Sequence, residues 1–217
     1  MKILGLEFSS EQRSVAIGDA AHDRCKLLSS AQETGGRSTR AVSLIEKALA
    51  QAGLEREAIE CIAVGIGPGS YTGIRAGIAL VQGWQLAREI RVLAISSVEA
   101  IAEQAFSTGV RGKIHVVVDA QRNEFYHATY DLTETKFSAA EPLRLLPANS
   151  ILERIQDGEI VIGPDAHHFK GETLYPTAES LVRLAASRSN YIDAAMLEPI
   201  YLREATFVKA PPPRVIQ

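Results

Sequence analysis

The chain has 217 residues, 46% of them apolar, which is enough to bury a core in one domain or two small ones. Its formal net charge of -3 speaks against a polyphosphate gripped by overall charge, so any nucleic-acid role is expected to be indirect or weak. Two cysteines without CxxC spacing give neither a disulfide framework nor a thiolate metal site, and no apolar run approaches the ~18 residues of a membrane span, which points to the cytoplasm and away from a membrane.

Taken in chain order, strands are expected over 3–8 and 14–18, with a third over 25–29 completing an antiparallel meander. Ser38 is placed to cap a helix whose apolar positions Val42, Ile45, Leu49 and Ala52 recur at helical spacing and which stops at Gly53. A buried-type strand over 59–67 leads to a second helix, capped by Thr72 and running to about residue 88. "RVLAIS" returns as a strand, and a third helix follows it, capped by Ser96 or Ser97. A meander followed by alternating helix and strand implies a mixed sheet with helices packed on it.

"STGVRGK" concentrates glycine and charge and divides the chain into 1–107 and 108–217. The second part repeats the opening with a strand, turn and strand over 114–132. It continues with a strand over 137–145, a helix over 148–156, a strand over 159–163 and a helix over 177–187. The tail "PPPRVIQ" reads as extended and mobile. Two parts that each begin with a hairpin suggest a duplicated α/β unit.

"GIGPGSYTGIRAG" joins a strand to a helix N-terminus, the arrangement that binds phosphate through free backbone N–H groups. It lacks the lysine of a Walker A and the placement of a dinucleotide fingerprint, so a packing turn is the competing reading. The helix behind it has one narrow polar stripe, Arg75, Gln82, Gln85 and Glu89, and is apolar around the rest of its circumference. Such a helix must be covered on more than one side, by its own sheet and by another helix or another protein. Gly73 and Gly77, four apart, share a face, and a glycine inside a helix costs about 1 kcal/mol unless another backbone comes close. The first helix can cover that face within the chain, and the pair can also present a joint apolar surface to a partner.

"ILGLEFSS", "GIGPGSYTGIRAGIALVQG", "VVVDAQRNEFYHATY" and "EPIYLRE" occur in the order seen in the TsaB (YeaZ) family, which this chain resembles. The resemblance implies an α/β, actin-like ATPase (ASKHA, ribonuclease H-like) fold of two related lobes with mixed sheets and flanking helices. It implies a subunit, not itself catalytic, that pairs with its paralogue TsaD in adding threonylcarbamoyl to N6 of adenosine 37 in tRNAs reading ANN codons, with the ATPase TsaE joining them. The partner surface it implies comprises Val42, Ile45, Leu49, Thr72, Gly73, Ala76, Gly77, Leu80 and Trp84, which also serves a homodimer. The glycines then let two helix pairs approach.

Glu7 and Phe8 stand where the family commonly has aspartate and threonine, and Gln121 where arginine is common. A vestigial nucleotide cleft is expected to be faced by Glu7, Ser9, Gly67, Gly69, Ser70 and Asp119, with no cofactor and no metal. "VIGPDAHH" is the nearest candidate for an adenosine signature, and the rival function is an independent actin-like ATPase or small-molecule kinase. A glycoprotease of the related M22 type needs a His-x-x-x-His pair on the third helix, where "SSVEAIAEQ" has none. His115 and His127 are expected on neighbouring strands as structural residues, and the adjacent His167 and His168 in a surface turn.

Overall fold

A computed structural model describes residues 1–21, 24–35 and 40–203. Ser38, the expected first cap, and the proline-rich tail lie outside the described residues.

Short alternating runs build the first sheet. β1 (Lys2–Glu7), β2 (Gln12–Ala21) and β3 (Arg24–Thr34) form the antiparallel meander. β4 (Cys61–Gly65) and β5 (Arg91–Ile95) add to β1 in parallel, giving the order β3-β2-β1-β4-β5. Alternation sends Leu4, Leu6, Val15, Ile17, Ile62 and Val64 to one face and Ile3, Ala16, Cys61 and Ala63 to the other.

The first face is covered by α1 (Ala41–Ala52) and α2 (Tyr71–Ala87), through Leu44, Ile45, Ala48 and Leu49 of one and Ile74, Ile78 and Val81 of the other. Arg40 occupies the N-cap position of α1 without a side-chain bond, and Gly53 ends the helix in a left-handed conformation. α2 is capped by Ser70, not Thr72. The Ser70 N–H donates to the Ser9 carbonyl at 2.6 Å, which holds Ser70 outside the helix, and its Oγ accepts from the Gly73 N–H at 3.4 Å. Thr72 is exposed in the first turn.

The second sheet runs β6 (Gly112–Asp119), β7 (Glu124–Leu132) and β8 (Phe137–Pro147) antiparallel, then β9 (Ile160–Gly163) and β10 (Glu172–Thr173) parallel. Its order, β8-β7-β6-β9-β10, is that of the first sheet strand for strand. α3 (Ser97–Ser107) covers one face with Val98, Ile101, Ala102 and Ala105. α4 (Ala148–Leu152) and a 3-10 turn (Ala166–Phe169) cover the other. α4 is shorter than expected because the chain turns at residues 153–155, where only Ile155 packs on the core.

α5 (Ala178–Ala185) returns to the first sheet and buries Ala178, Leu181, Val182, Leu184 and Ala185 on its second face. Gly5 permits this approach, since a Cβ there would lie 2.5 Å from the Ala178 carbonyl oxygen. The first sheet ends at Ile95 and the second begins at Gly112, on either side of the expected division at 107/108, but the helices do not follow that division. α3 precedes that point and packs on the second sheet, while α5 follows it and packs on the first. The two helices form the middle layer, joined by Arg183 Nε to Glu103 Oε1 at 2.7 Å and by Arg188 to Glu99.

Candidate functional site

Two concave regions lie toward opposite ends of α2. At its N-terminal end a cavity of about 870 Å3 opens between the lobes. Of the residues expected there, Ser9, Gly69, Ser70 and Asp119 line it. Glu7 and Gly67 do not. The Glu7 side chain is wholly buried, its Oε1 accepting from the Ser9 N–H at 2.8 Å and its Oε2 from the Ser97 hydroxyl at 3.0 Å. Burial pushes its carboxyl above the usual carboxylate range, and the hydrogen bonds only partly offset this. Gly67 is buried behind the loop, its carbonyl accepting from the Ser97 N–H at 2.7 Å.

Two of the donors at the loop and helix N-terminus are engaged within the chain. Ser70 N–H is bonded to Ser9 and Gly73 N–H to Ser70. The loop also lies flush on the segment after β1: a Cβ on Gly69 would sit 2.1 Å from the Ser9 carbonyl oxygen, and one on Gly73 1.9 Å from that of Phe8.

Across the cavity, Asp119 holds the β6–β7 turn, accepting from the Gln121 N–H at 2.7 Å and from Gln121 Nε2 at 2.8 Å. Gln121, Arg122 and Asn123 are consecutive left-handed residues, with φ of 65°, 61° and 59°, a costly conformation for side chains other than glycine. Arg203 clamps this turn: its Nη2 donates to the carbonyls of Ala120 at 2.8 Å and Gln121 at 3.1 Å and to Glu124 Oε2 at 2.6 Å. Two residues earlier, Tyr201 stacks on Tyr71 with ring centroids 5.7 Å apart, and Arg75 lies 4.2 Å from the Tyr71 centroid. The motifs "GSYTGIR", "DAQRNEFY" and "PIYLR", far apart in the chain, are thus joined at the cavity mouth. Tyr71, Tyr201 and Arg203 were not singled out by sequence reasoning, although the closing motif carried the signal.

The second region is an apolar groove of about 610 Å3 between α1 and α2, lined by Val42, Ile45, Ala79, Leu80, Gly83 and Trp84 and edged by Arg56, Glu57 and Arg88. Among the nine expected interface residues, Val42 and Thr72 are exposed, and Ala76, Leu80 and Trp84 are half-buried. Ile45, Leu49, Gly73 and Gly77 are buried in the chain's own lobe. The role expected for the glycine pair is therefore corrected. Gly73 meets the Phe8 carbonyl and Gly77 meets the Phe8 ring and Val64, so both bring α2 onto its own sheet. Gly83 has open space where a Cβ would be and faces the groove.

His115 and His127 are direct neighbours across β6 and β7, with His115 Nδ1 2.9 Å from His127 Nε2 and His115 Nε2 2.7 Å from Glu159 Oε2. Burial, then the neighbouring His115, holds His127 down to about 4. A hydrogen bond from the Gln156 N–H, then one with His115, holds Glu159 at about 2. His167 and His168 are exposed in the 3-10 turn. Among the described residues no three His, Cys, Asp or Glu side chains are placed to hold a metal ion, and no helix is long and apolar enough to cross a membrane.

The TsaD family, described as tRNA N6-adenosine threonylcarbamoyltransferase, matches residues 36–192. The chain belongs to this family. Its relatives along nearly the whole length are TsaB proteins. It is 27% identical over 222 residues to the tRNA threonylcarbamoyladenosine biosynthesis protein TsaB of Escherichia coli (strain K12), covering 94% of this chain and 95% of the relative. It is 27% identical over 236 residues to the protein of the same description from Haemophilus influenzae, covering 97% and 98%. Among solved structures it is similar to YeaZ from Pseudomonas aeruginosa, with a TM-score of 0.77 and 26% identity over 93% of this chain and 99% of that one. Within the family the chain stands with the TsaB (YeaZ) members, and its two like-ordered sheets with flanking helices are the expected actin-like fold.

Proposed function

We propose that the chain is a scaffold subunit, without catalysis of its own, of the assembly that adds threonylcarbamoyl to N6 of adenosine 37 in tRNAs reading ANN codons. It buries its α1–α2 groove against TsaD and holds that enzyme in its active arrangement. When TsaD is absent the same groove pairs two copies of the chain. TsaE and tRNA join the composite surface of the pair, and the chain itself works in the cytoplasm.

The observation that carries this reading is the groove itself: Val42, Leu80 and Trp84 leave apolar surface open between two helices whose inner faces are packed on the first sheet. The names of the relatives supply the pathway. The buried Glu7 weighs against the rival ATPase or kinase, because its carboxylate is taken up by the Ser9 N–H and the Ser97 hydroxyl and does not line the cavity.

The test is co-expression with the TsaD paralogue of the same organism. The wild-type chain copurifies as a heterodimer, and Ala79→Glu, which places a charge in the groove, abolishes copurification while the variant stays folded. A heterodimer unaffected by Ala79→Glu overturns the assignment of the surface. Normal threonylcarbamoyladenosine in total tRNA of a strain lacking the gene overturns the assignment of the pathway.

A further inference from the structure

The second sheet buries a polar cluster that takes no part in the groove or the cavity. His115 and His127 share a face with Val117 and Phe125, the face that α4 and the 3-10 turn cover, and they are only 3% and 1% exposed. Their rings stack with centroids 5.2 Å apart. The hydrogen bonds fix the tautomers. Glu159 is ionised and accepts from His115 Nε2–H at 2.7 Å, which leaves His115 Nδ1 to accept from His127 Nε2–H at 2.9 Å. The next proton therefore goes to His127 Nδ1. A positive charge there faces His115 on β6, Arg144 on β8 and Arg154 after α4, with Glu141 of β8 as its one near anion. The other charged groups of this face stand at its ends: Lys113 on Glu159 at 3.2 Å beside the exposed Asp131, and His168 edge-on to Phe125 at 5.3 Å.

The segment over this cluster is lightly held. Between residues 148 and 159 only Ile151 is buried, and its neighbour Leu152 is 54% exposed. Polar ties to the rest of the lobe come from the Ala148 N–H to the Asn123 carbonyl at 3.3 Å, from Arg154 to Glu141 at 3.0 Å, and from Glu159 to His115 and Lys113. Underneath, the hydroxyl of Thr129, the cross-strand neighbour of His115, is buried and finds no partner among the described residues, a group that opening would hydrate. We propose that residues 148–159 are an acid-released cover, which lifts by itself, with both sheets still folded, when the histidine pair takes up a proton. Few buried side chains and many exposed ones are the marks of a segment that opens locally. The closed cover holds His127 down to about 4, first by burial and then by the neighbouring His115, whereas an open, solvated histidine titrates near 6.5. Between these values the open form carries the proton and the closed form does not, so opening gains as pH falls from 6.5 toward 4 and gains nothing above that range. Glu159, at about 2 when closed against an ordinary 4.5, adds to the effect only below this upper window. The groove lies on the other lobe and is not altered by opening.

The test is hydrogen exchange of the full chain between about pH 7.5 and about pH 4.5, corrected for the intrinsic pH dependence of amide exchange. The amides of Glu153, Ile155 and Glu159, which are bonded within the segment, should lose about tenfold or more of their protection on the acid side, while those of Leu4, Ile62 and Val64 in the first sheet keep theirs. His127→Gln keeps a donor for His115 Nδ1 and cannot titrate, so its segment should be equally protected at both ends of the range. Ile151→Ala removes the buried side chain of the cover. It should raise exchange of the segment at neutral pH and, because linkage is reciprocal, move the titration of the His127 ring up from about 4 toward 6.5. Where His127→Gln fails to fold, the wild-type exchange and the Ile151→Ala titration decide. Protection lost in the segment and the first sheet together, protection that does not change with pH, the same loss in folded His127→Gln, or a His127 titration unmoved by Ile151→Ala overturns the inference.

Discussion

The two sides of α2 are made from the same kinds of residue and do opposite things. Gly73, Ile74, Gly77, Ile78 and Val81 are buried on the chain's own sheet, whereas Ala79 and Gly83 are exposed, Leu80 and Trp84 half-buried, and Leu86 is 90% exposed. Composition does not separate these sides. What separates them is the Phe8 carbonyl, which comes so close to Gly73 that only hydrogen fits. A glycine in a helix marks close approach, but the approaching backbone belongs here to the same chain.

The largest expected effect breaks the inner side. Gly73→Val forces a side chain into the Phe8 carbonyl and is expected to cost about 3 kcal/mol or more, or to prevent folding, in urea unfolding. Unchanged stability would mean that α2 is rotated from its described position. Next comes the crossing of α5 onto the first sheet. Leu181→Ala should cost about 2–5 kcal/mol, and a fragment ending at residue 107, which leaves Ile3, Ala63 and Leu93 without α5, should give no dispersed amide spectrum.

Acid sharpens the contrast between the lobes, because the second sheet buries a histidine pair. His127 titrates at about 4 when folded, against an ordinary value of 6.5. Between these values the unfolded chain binds the proton and the folded chain does not, so stability falls as pH drops from 6.5 toward 4, by about 1.4 kcal/mol per unit at most. Glu159, held at about 2 against 4.5, continues the loss as pH falls from 4.5 toward 2. His127→Gln should flatten the upper part of this slope in a pH series of melting curves. Arg203→Ala releases the left-handed turn and should cost about 1–2 kcal/mol, with faster amide exchange at Gln121 and Glu124. The smallest effect on stability is expected on the outer side of α2, where Ala79→Glu changes unfolding by about 0.5 kcal/mol or less.

Much of the fold was legible in the residues. The short apolar runs "KILGLE" and "IHVVVD" and the helical spacing of Ile45 and Leu49 mark elements that local pattern alone defines. The reciprocal packing of α3 and α5 was not legible, because it depends on where a helix goes after it forms. Ser70 was passed over for Thr72 because a cap is chosen by the partner of its backbone N–H, here the Ser9 carbonyl. For the same reason Glu7 was expected to face the cavity, although one residue of strand phase turns it inward to Ser97. The wall of the inter-lobe cavity has no sequence signature, since its residues come from both halves of the chain and no periodicity relates them.

The central claim is that the outer side of α1 and α2 is a protein-binding surface. Hydrogen exchange of the chain, free and mixed with its TsaD paralogue, tests it most directly. The account predicts new protection confined to residues 41–52 and 79–88 and to the groove edge at Arg56, and no new protection at the inter-lobe cavity. A stable complex that leaves those helices exchanging as in the free chain, with protection elsewhere, would contradict it.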